Sequence, residues 1–201
     1  MNKTCIIHPI GTHSLSLQEH AWETIEKQVL DCTNFSPGIR CPHVTARIVA
    51  SADGFTVRFD SDETDPATRY SSFNDPAWLD SCVEFFFAPD GTQPDVYLNF
   101  EQSAGGALLI QKGTKSDRTN LEGSLAEFEI ERDIREDGWS VKFFVPFSFL
   151  LRHFPRIDRT FRGNFQFCNE DKNFYVTWNR IENPTPQFHL PEFFGVFETD
   201  L

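Results

Sequence analysis

Hydrophobic and polar residues alternate in short segments from Thr45 onward, and these segments are rich in Val, Phe, Thr and Tyr. Pairs such as Asp-Gly, Pro-Asp and Gly-Gly separate them, a pattern typical of β-strands joined by turns. ARIVASADGFTVRFD predicts a hairpin that turns at residues 52–54, and CVEFFFAPDGTQPDVYLNFE predicts two strands around a Pro/Gly loop. Further strands are predicted at 106–111, 125–131, 138–145, 164–170, 174–178 and 193–199, with a helical turn in PFSFLLRHF.

One short helix is predicted before the strands, in SLQEHAWETIEKQVL. Ser16 and Glu19 have the spacing of a capping box, and Trp22, Ile25 and Val29 share one helical face. Neither a repeat of fixed period nor a low-complexity linker divides the chain.

We therefore predict an all-β single domain over residues 1–201, an antiparallel β-sandwich of about ten strands, jelly-roll or immunoglobulin-like, with one or two short helices. Residues 1–44 would supply an N-terminal strand and the short helix packed on the sandwich. A barrel is the alternative architecture.

The charge of the chain narrows the range of partners. The 18 Lys and Arg residues against 30 Asp and Glu give a net charge of −12, which would repel nucleic acid and anionic membranes over most of the surface. No apolar run approaches the ~18 residues of a membrane span, and the first residues lack the pattern of a signal peptide. We expect neither a nucleic-acid nor a membrane partner, and a cytoplasmic location, or a secreted or periplasmic one if a leader was trimmed.

The five cysteines form no Cys-x-x-Cys pair and no zinc-type spacing. The count is odd, so we expect reduced, buried thiols.

The alternation of two predicted strands separates a core face from a polar face. In the strand from Cys82 to Ala88 the odd-numbered side chains Val83, Phe85 and Phe87 are expected in the core. If the two strands pair, the opposite face combines four polar or aromatic side chains, those of Glu84, Tyr97, Asn99 and Glu101. This patch would form a floor for a ligand; alternatively, an Arg or Lys on a neighbouring strand pairs with Glu84.

Four motifs occur in order along most of the chain: WLDSCVEFF, YLNFE with the downstream Gly105-Gly106, GWSVKFFVPF and QFHLPEFFG. Together they resemble family 9 carbohydrate-binding modules. The resemblance implies a β-sandwich without catalytic machinery, in which two aromatic rings sandwich a glucose- or xylose-type sugar at a glycan end. The family's first stacking Trp lies six residues before a sugar-binding Glu, and that spacing falls here on Trp78 and Glu84.

Other family positions are occupied differently here. Phe188 stands where the family has its second stacking Trp, and Tyr97 stands where it has an Arg two residues before the matched Asn99. Arg180 is our candidate for the missing positive donor. Trp178 matches a family Trp in the body of the sandwich and is assigned to packing.

A calcium site is suggested by the acidic string DSDETD, with Asp60, Asp62 and Asp65 as ligands, because family members bind structural calcium. The alternative is a solvated turn. Apart from this structural Ca²⁺, no cofactor is expected.

The resulting functional prediction is a non-catalytic carbohydrate-binding domain that serves polysaccharide degradation, beside a glycoside hydrolase partner if one is present. One alternative is a sensor or interaction sandwich that binds haem or protein. Another is a glycoside hydrolase with Asp80 and Glu84 as the acid pair, although a second carboxylate facing Glu84 across a sugar is not visible in the sequence.

Overall fold

The structure is a computed structural model that describes residues 2–11 and 19–200. Within them, thirteen strands follow one another as β1 Thr4–Ile7, β2 Gln28–Leu30, β3 Val44–Ala50, β4 Gly54–Ser61, β5 Cys82–Ala88, β6 Tyr97–Ser103, β7 Leu108–Gly113, β8 Arg118–Asn120, β9 Glu131–Arg135, β10 Gly138–Pro146, β11 Thr160–Asn169, β12 Phe174–Thr177 and β13 Gly195–Thr199. The α-helices are α1 Glu19–Glu23 and α2 Phe147–His153. Short 3-10 helices cover Ala77–Leu79, Leu125–Phe128, Glu170–Lys172 and Pro191–Phe193.

The strands form two sheets. The larger sheet has the order β1-β13-β11-β5-β6-β7-β8, with β12 also paired to β11, and the smaller one has the order β2-β3-β4-β10-β9. The all-β sandwich predicted from the sequence is confirmed. One pairing departs from the antiparallel expectation, since β1 runs parallel to β13.

The main core lies between the two sheets and is built largely from Phe. Side chains from the smaller sheet meet those of the larger one in edge-on ring contacts: Phe55 with Phe87 at 5.8 Å, and Phe59 with Phe165 at 5.6 Å between ring centroids. Phe85, fully buried in the centre of β5, lies 5.3 Å from Phe165. The odd-numbered residues of β5 therefore face the smaller sheet, and its even-numbered residues face away from it.

Two sequence predictions of secondary structure need correction. Residues 125–131 are not a strand: they begin as the 3-10 helix Leu125–Phe128, and β9 starts only at Glu131. The turn buries Phe128 completely against Phe149, at 5.0 Å, which a strand at the sheet edge would not do.

The predicted N-terminal helix is also shorter than expected, because Val29 belongs to β2, which pairs with β3. Its proposed capping residue Ser16 lies outside the described residues.

The turn between β6 and β7 explains the Gly105-Gly106 pair. Gly106 has a φ of +105°, which L side chains rarely adopt, and a Cβ on Gly105 would fall 2.3 Å from the carbonyl oxygen of Tyr70. The loop before β5 can therefore approach this turn closely.

All five cysteines are free, and Cys5, Cys82 and Cys168 are buried. The expected burial thus holds for these three residues, whereas Cys32 and Cys41 are only partly buried. In the part of the chain that the structure describes, no helix has the length and apolar character needed to cross a membrane.

Replacing Phe85 with Ala should remove the central ring of the main core. We expect the free energy of unfolding to fall by about 3–5 kcal/mol, because the cavity left between the two sheets cannot close fully. Urea denaturation followed by fluorescence measures this. Ile134→Ala is the control: Ile134 is 47% exposed and should change stability by less than about 0.5 kcal/mol. Equal stabilities of the two variants would contradict this placement of the core.

Candidate functional site

A cleft of about 320 Å³ opens on the outer face of the larger sheet, the face that carries the even-numbered residues of β5. Aromatic side chains line it, namely Trp78, Tyr175 and Phe188. Polar and charged side chains complete the lining, among them Glu84, Glu101, Gln111, Arg118, Glu170, Gln187 and His189. The cleft thus combines flat apolar surfaces with hydrogen-bonding groups.

Trp78 belongs to the short 3-10 helix immediately before β5 and is 40% exposed. Its carbonyl oxygen accepts a hydrogen bond from Cys168 Sγ at 3.7 Å, which joins the helix to β11. Next to it, the fully buried carboxylate of Asp80 accepts from Arg69 Nε at 3.0 Å and from the Tyr70 amide at 2.8 Å. Asp80 therefore holds the loop that presents Trp78 and does not act with Glu84 as an acid pair.

Phe188 supplies an aromatic wall from the loop before β13. It is only 8% exposed, because its ring packs against Phe35 at 6.4 Å and Tyr175 at 6.3 Å between centroids. Only a small part of the Phe188 ring is therefore accessible, so it offers much less stacking surface than Trp78. The structure brings the predicted pair Trp78 and Phe188 to one site and adds Tyr175, which the sequence prediction omitted.

The floor of the cleft contains two carboxyl groups side by side. Glu84 on β5 is the register partner of Glu101 on β6, and each is 3% exposed. Glu84 Oε1 accepts a weak hydrogen bond from Cys168 Sγ at 3.5 Å, and Glu101 Oε1 accepts one from Asn99 Nδ2 at 2.7 Å. The expected polar patch on this face is therefore present.

Several polar atoms of this floor lack hydrogen-bond partners among the described residues. They are Glu101 Oε2, Asn99 Oδ1 and both amide atoms of Gln166, the register partner of Glu84 on β11. A buried polar atom without a partner costs about 1–3 kcal/mol. Ordered water or a bound ligand can supply such partners where it reaches the atoms, and of these three residues Glu101 is the one that lines the cleft.

Burial and mutual repulsion change the protonation of this carboxyl pair. Burial, followed by the nearby Glu101 carboxyl, raises the pKa of Glu84 well above its usual range. Burial also raises the pKa of Glu101 to about 7, although the Asn99 hydrogen bond and the positive charge of Arg118 act in the opposite direction. A pair that retains a proton near neutral pH can both donate and accept a hydrogen bond.

Tyr97 and Asn99, predicted as ligand contacts, lie beneath the lining of the cleft. Both are fully buried. The Tyr97 hydroxyl lies 3.0 Å from Nδ1 of His189, and Asn99 donates to Glu101. Through these hydrogen bonds Tyr97 orients His189 and Asn99 orients Glu101, both of which line the cleft.

The positive group of the cleft is Arg118 on β8. Its Nη1 donates to the carbonyl oxygen of Lys115 at 2.8 Å, and its buried Nε has no partner among the residues described. Arg180, the sequence-based candidate, lies outside the cleft, where its Nε donates to Glu182 at 2.5 Å and the side chain is 56% exposed.

The three proposed calcium ligands are not gathered into one metal-ligating group in the described chain. Asp60 accepts from Arg47 at 2.6 Å and from Arg58 at 2.7 Å. Asp62 accepts from the His43 amide at 2.7 Å, and the carbonyl oxygen of Asp65 accepts from Lys172. The carboxylate of Asp60 is thus already paired with two arginines. Calcium binding at Asp62 and Asp65 stays a prediction.

The sequence could have identified one residue that we missed. Val176 and Trp178 are buried in the main core, so alternation along β12 places Tyr175 on the cleft face. Arg118 carries no such signal, since β8 has only three residues and shows too little alternation to separate two faces.

A two-sheet sandwich with an aromatic cleft over buried polar groups, on the outer face of one sheet, defines a ligand-binding module. Comparison with known families agrees with this class: the model of carbohydrate-binding family 9 matches residues 18–199, so the chain belongs to that family. The comparison with curated proteins gave no match.

Three solved structures have a similar fold. A candidate carbohydrate-binding protein from Bacteroides uniformis is 26% identical, with a TM-score of 0.83 and 100% coverage of both chains. A family 9 module from Caldicellulosiruptor kristjanssonii in complex with glucose is 11% identical, with a TM-score of 0.69 over 98% of this chain and 96% of that one. The cellotriose complex of a module from the same organism is 12% identical, with a TM-score of 0.64 and coverage of 98% and 93%.

Replacing Glu101 with Gln should weaken the pH dependence of stability. The pKa of Glu101 rises from 4.5 to about 7 on folding, so its contribution to stability is present below the unfolded-state pKa and is lost as the pH rises to the folded-state value. This shift alone lowers the free energy of unfolding by about 3 kcal/mol between about pH 4.5 and 7. Glu101→Gln removes this contribution and also removes the charge next to Glu84, so the stability of the variant should fall less over this range.

Urea unfolding at several pH values measures this difference. Glu136→Gln, at an exposed position, is the matched control and should follow the wild-type curve. Identical pH profiles for wild type and Glu101→Gln would contradict the arrangement of the floor.

Proposed function

We propose that this chain is a non-catalytic carbohydrate-binding domain whose cleft takes a glucose- or xylose-type sugar at the end of a glycan. The observation that carries the proposal is the combination of ring walls, Trp78 and Phe188, with the partnerless buried polar atoms of the floor. Family membership supports the same ligand class.

Pyranose chemistry suits this combination. The C–H faces of a sugar ring are apolar and pack on aromatic rings, while its hydroxyl groups donate and accept hydrogen bonds around the rim. Trp78 offers the exposed ring face, Glu84 and Glu101 lie below to bond hydroxyls, and Arg118 supplies a charged donor at the side. Each part of the cleft thus has a matching part of the ligand.

The size of the cleft favours a small ligand. Its volume of about 320 Å³ is at the lower end of the roughly 300–1,000 Å³ typical of small-molecule sites. One or two sugar units fit this range better than a long stretch of polysaccharide. The net charge of −12 further favours a neutral sugar over an acidic one.

Hydrolysis is the second candidate, because Glu84 lies beside Glu101, a carboxyl pair different from the Asp80 and Glu84 pair that was weighed as catalytic from the sequence. Glycosidases place their two carboxyl groups on either side of the bond to be cleaved. Here both groups project from neighbouring strands into one floor, so both would lie on the same side of a bound sugar. This geometry favours binding over hydrolysis. The haem alternative stays a prediction that an absorption spectrum of the purified protein tests.

Calorimetric titration with glucose, cellobiose and xylobiose tests the proposal. We expect dissociation constants in the micromolar to millimolar range, about −8 to −4 kcal/mol, for at least one of these sugars. Trp78→Ala should weaken binding by about tenfold or more, since it removes the exposed stacking surface. Leu151→Ala is the matched control, because Leu151 is an equally accessible apolar residue on α2, 54% exposed and away from the cleft.

Equal sugar affinities of the wild type and Trp78→Ala would show that the cleft wall formed by Trp78 does not bind the sugar. Release of reducing sugar by the wild type, abolished in Glu84→Gln, would replace the binding proposal with hydrolysis.

A further inference from the structure

Two cysteines and a glutamate meet at the floor of the cleft. Cys82 and Glu84 are two residues apart on β5 and project from the same face, and Cys168 on β11 is the register partner of Cys82. One ligand atom from each side chain lies within 4.8 Å of the others, and this is the one group of three or more Cys, His or acidic residues found so close together in the described chain. The three side chains are 0%, 3% and 4% exposed.

The two thiols have only weak partners. Cys82 Sγ lies 3.6 Å from the carbonyl oxygen of Val83, and Cys168 Sγ lies 3.5 Å from Glu84 Oε1 and 3.7 Å from the carbonyl oxygen of Trp78. Thiols are weak hydrogen-bond donors. Giving up these contacts to a stronger ligand would therefore cost little.

The three ligand atoms suit a tetrahedral thiophilic ion. With Zn–S bonds of about 2.3 Å and Zn–O bonds of about 2.1 Å, sulfur and oxygen ligands lie about 3.6 Å apart. The distance of 3.5 Å between Cys168 Sγ and Glu84 Oε1 is close to this value. Two thiolates select Zn²⁺ and similar soft ions over calcium, which prefers oxygen ligands throughout.

We propose that Cys82, Cys168 and Glu84 form a three-ligand site for Zn²⁺ or a similar thiophilic divalent cation, with its fourth position open to the cleft. Cys168 and Glu84 both line the cleft, which provides the path of entry. Water or a ligand hydroxyl would complete the coordination, as in zinc sites that keep one open position. Binding would convert both thiols to thiolates and Glu84 to its carboxylate form, and would release the protons they carry to solvent.

The ion would also modulate the sugar site, a consequence that rests on the proposed function. Glu84 contributes to the floor on which the sugar hydroxyls lie, so a metal-bound Glu84 presents a different charge to them. Sugar affinity should therefore differ between the metal-loaded and metal-free protein.

Cobalt titration of the full chain, kept reduced by a non-thiol reductant, tests the site directly. We expect one Co²⁺ per chain, with a thiolate-to-cobalt charge-transfer band and the intense visible bands of tetrahedral cobalt. Cys168→Ala should weaken the band and lower Co²⁺ affinity by about tenfold or more. Cys41→Ala removes a free cysteine outside the cluster and should bind as the wild type does.

A second measurement avoids dependence on variants that fail to fold. X-ray absorption of the zinc-loaded wild type should show two sulfur ligands and the remainder oxygen. Oxygen and nitrogen ligands alone, or cobalt binding that survives Cys168→Ala, would overturn the proposal and leave the two cysteines as small apolar packing residues.

Titration of chelator-treated protein with cellobiose separates this inference from the proposed function. Sugar binding without any specific metal binding refutes the metal site alone. Metal binding with two sulfur ligands but no sugar binding refutes the sugar proposal alone.

Discussion

The structure depends on the register that pairs β5 with its two neighbours. Because side chains alternate along a strand, the register that puts Phe85 between Phe100 and Phe165 in the core also puts Glu84 between Glu101 and Gln166 on the outer face. A shift of one residue would move the carboxyl groups into the aromatic core and the phenyl rings into the cleft. Burial of Phe85 in the core therefore also fixes the position of Glu84 in the polar floor.

This floor opposes folding, which is why it indicates function. Two adjacent carboxyl groups, each 3% exposed, lose hydration on folding. This burial raises the pKa of Glu101 to about 7, and burial together with the Glu101 carboxyl raises the pKa of Glu84 well above its usual range. Apolar residues at these two buried positions would cost less free energy on folding. Under the proposed function, a ligand rich in hydroxyl groups would form hydrogen bonds with this floor, and the rings of Trp78 and Phe188 would pack against its apolar faces.

Local patterns in the sequence predicted much of this arrangement. The alternation in Cys82–Ala88 and Tyr97–Ser103 separated the core face from the cleft face. The resemblance to family 9 modules, and not a local pattern, pointed to Trp78 as one wall and Glu84 as part of the floor. Features that depend on the order of strands in the sheet could not be predicted from these local patterns. Arg118 reaches the cleft from β8 at the sheet edge, and Arg180 points elsewhere although it is near Trp178 in the chain. The turn at 125–128 shows that burial of one ring, Phe128, can override a strand-like pattern.

If the rings and the carboxyl floor bind one ligand together, a crystal structure of the protein soaked with cellobiose will show it. We expect a sugar ring between Trp78 and Phe188, with hydroxyl groups within hydrogen-bond distance of Glu84 or Glu101. Sugar density on the outer face of the smaller sheet, with the cleft filled only by water, would contradict it.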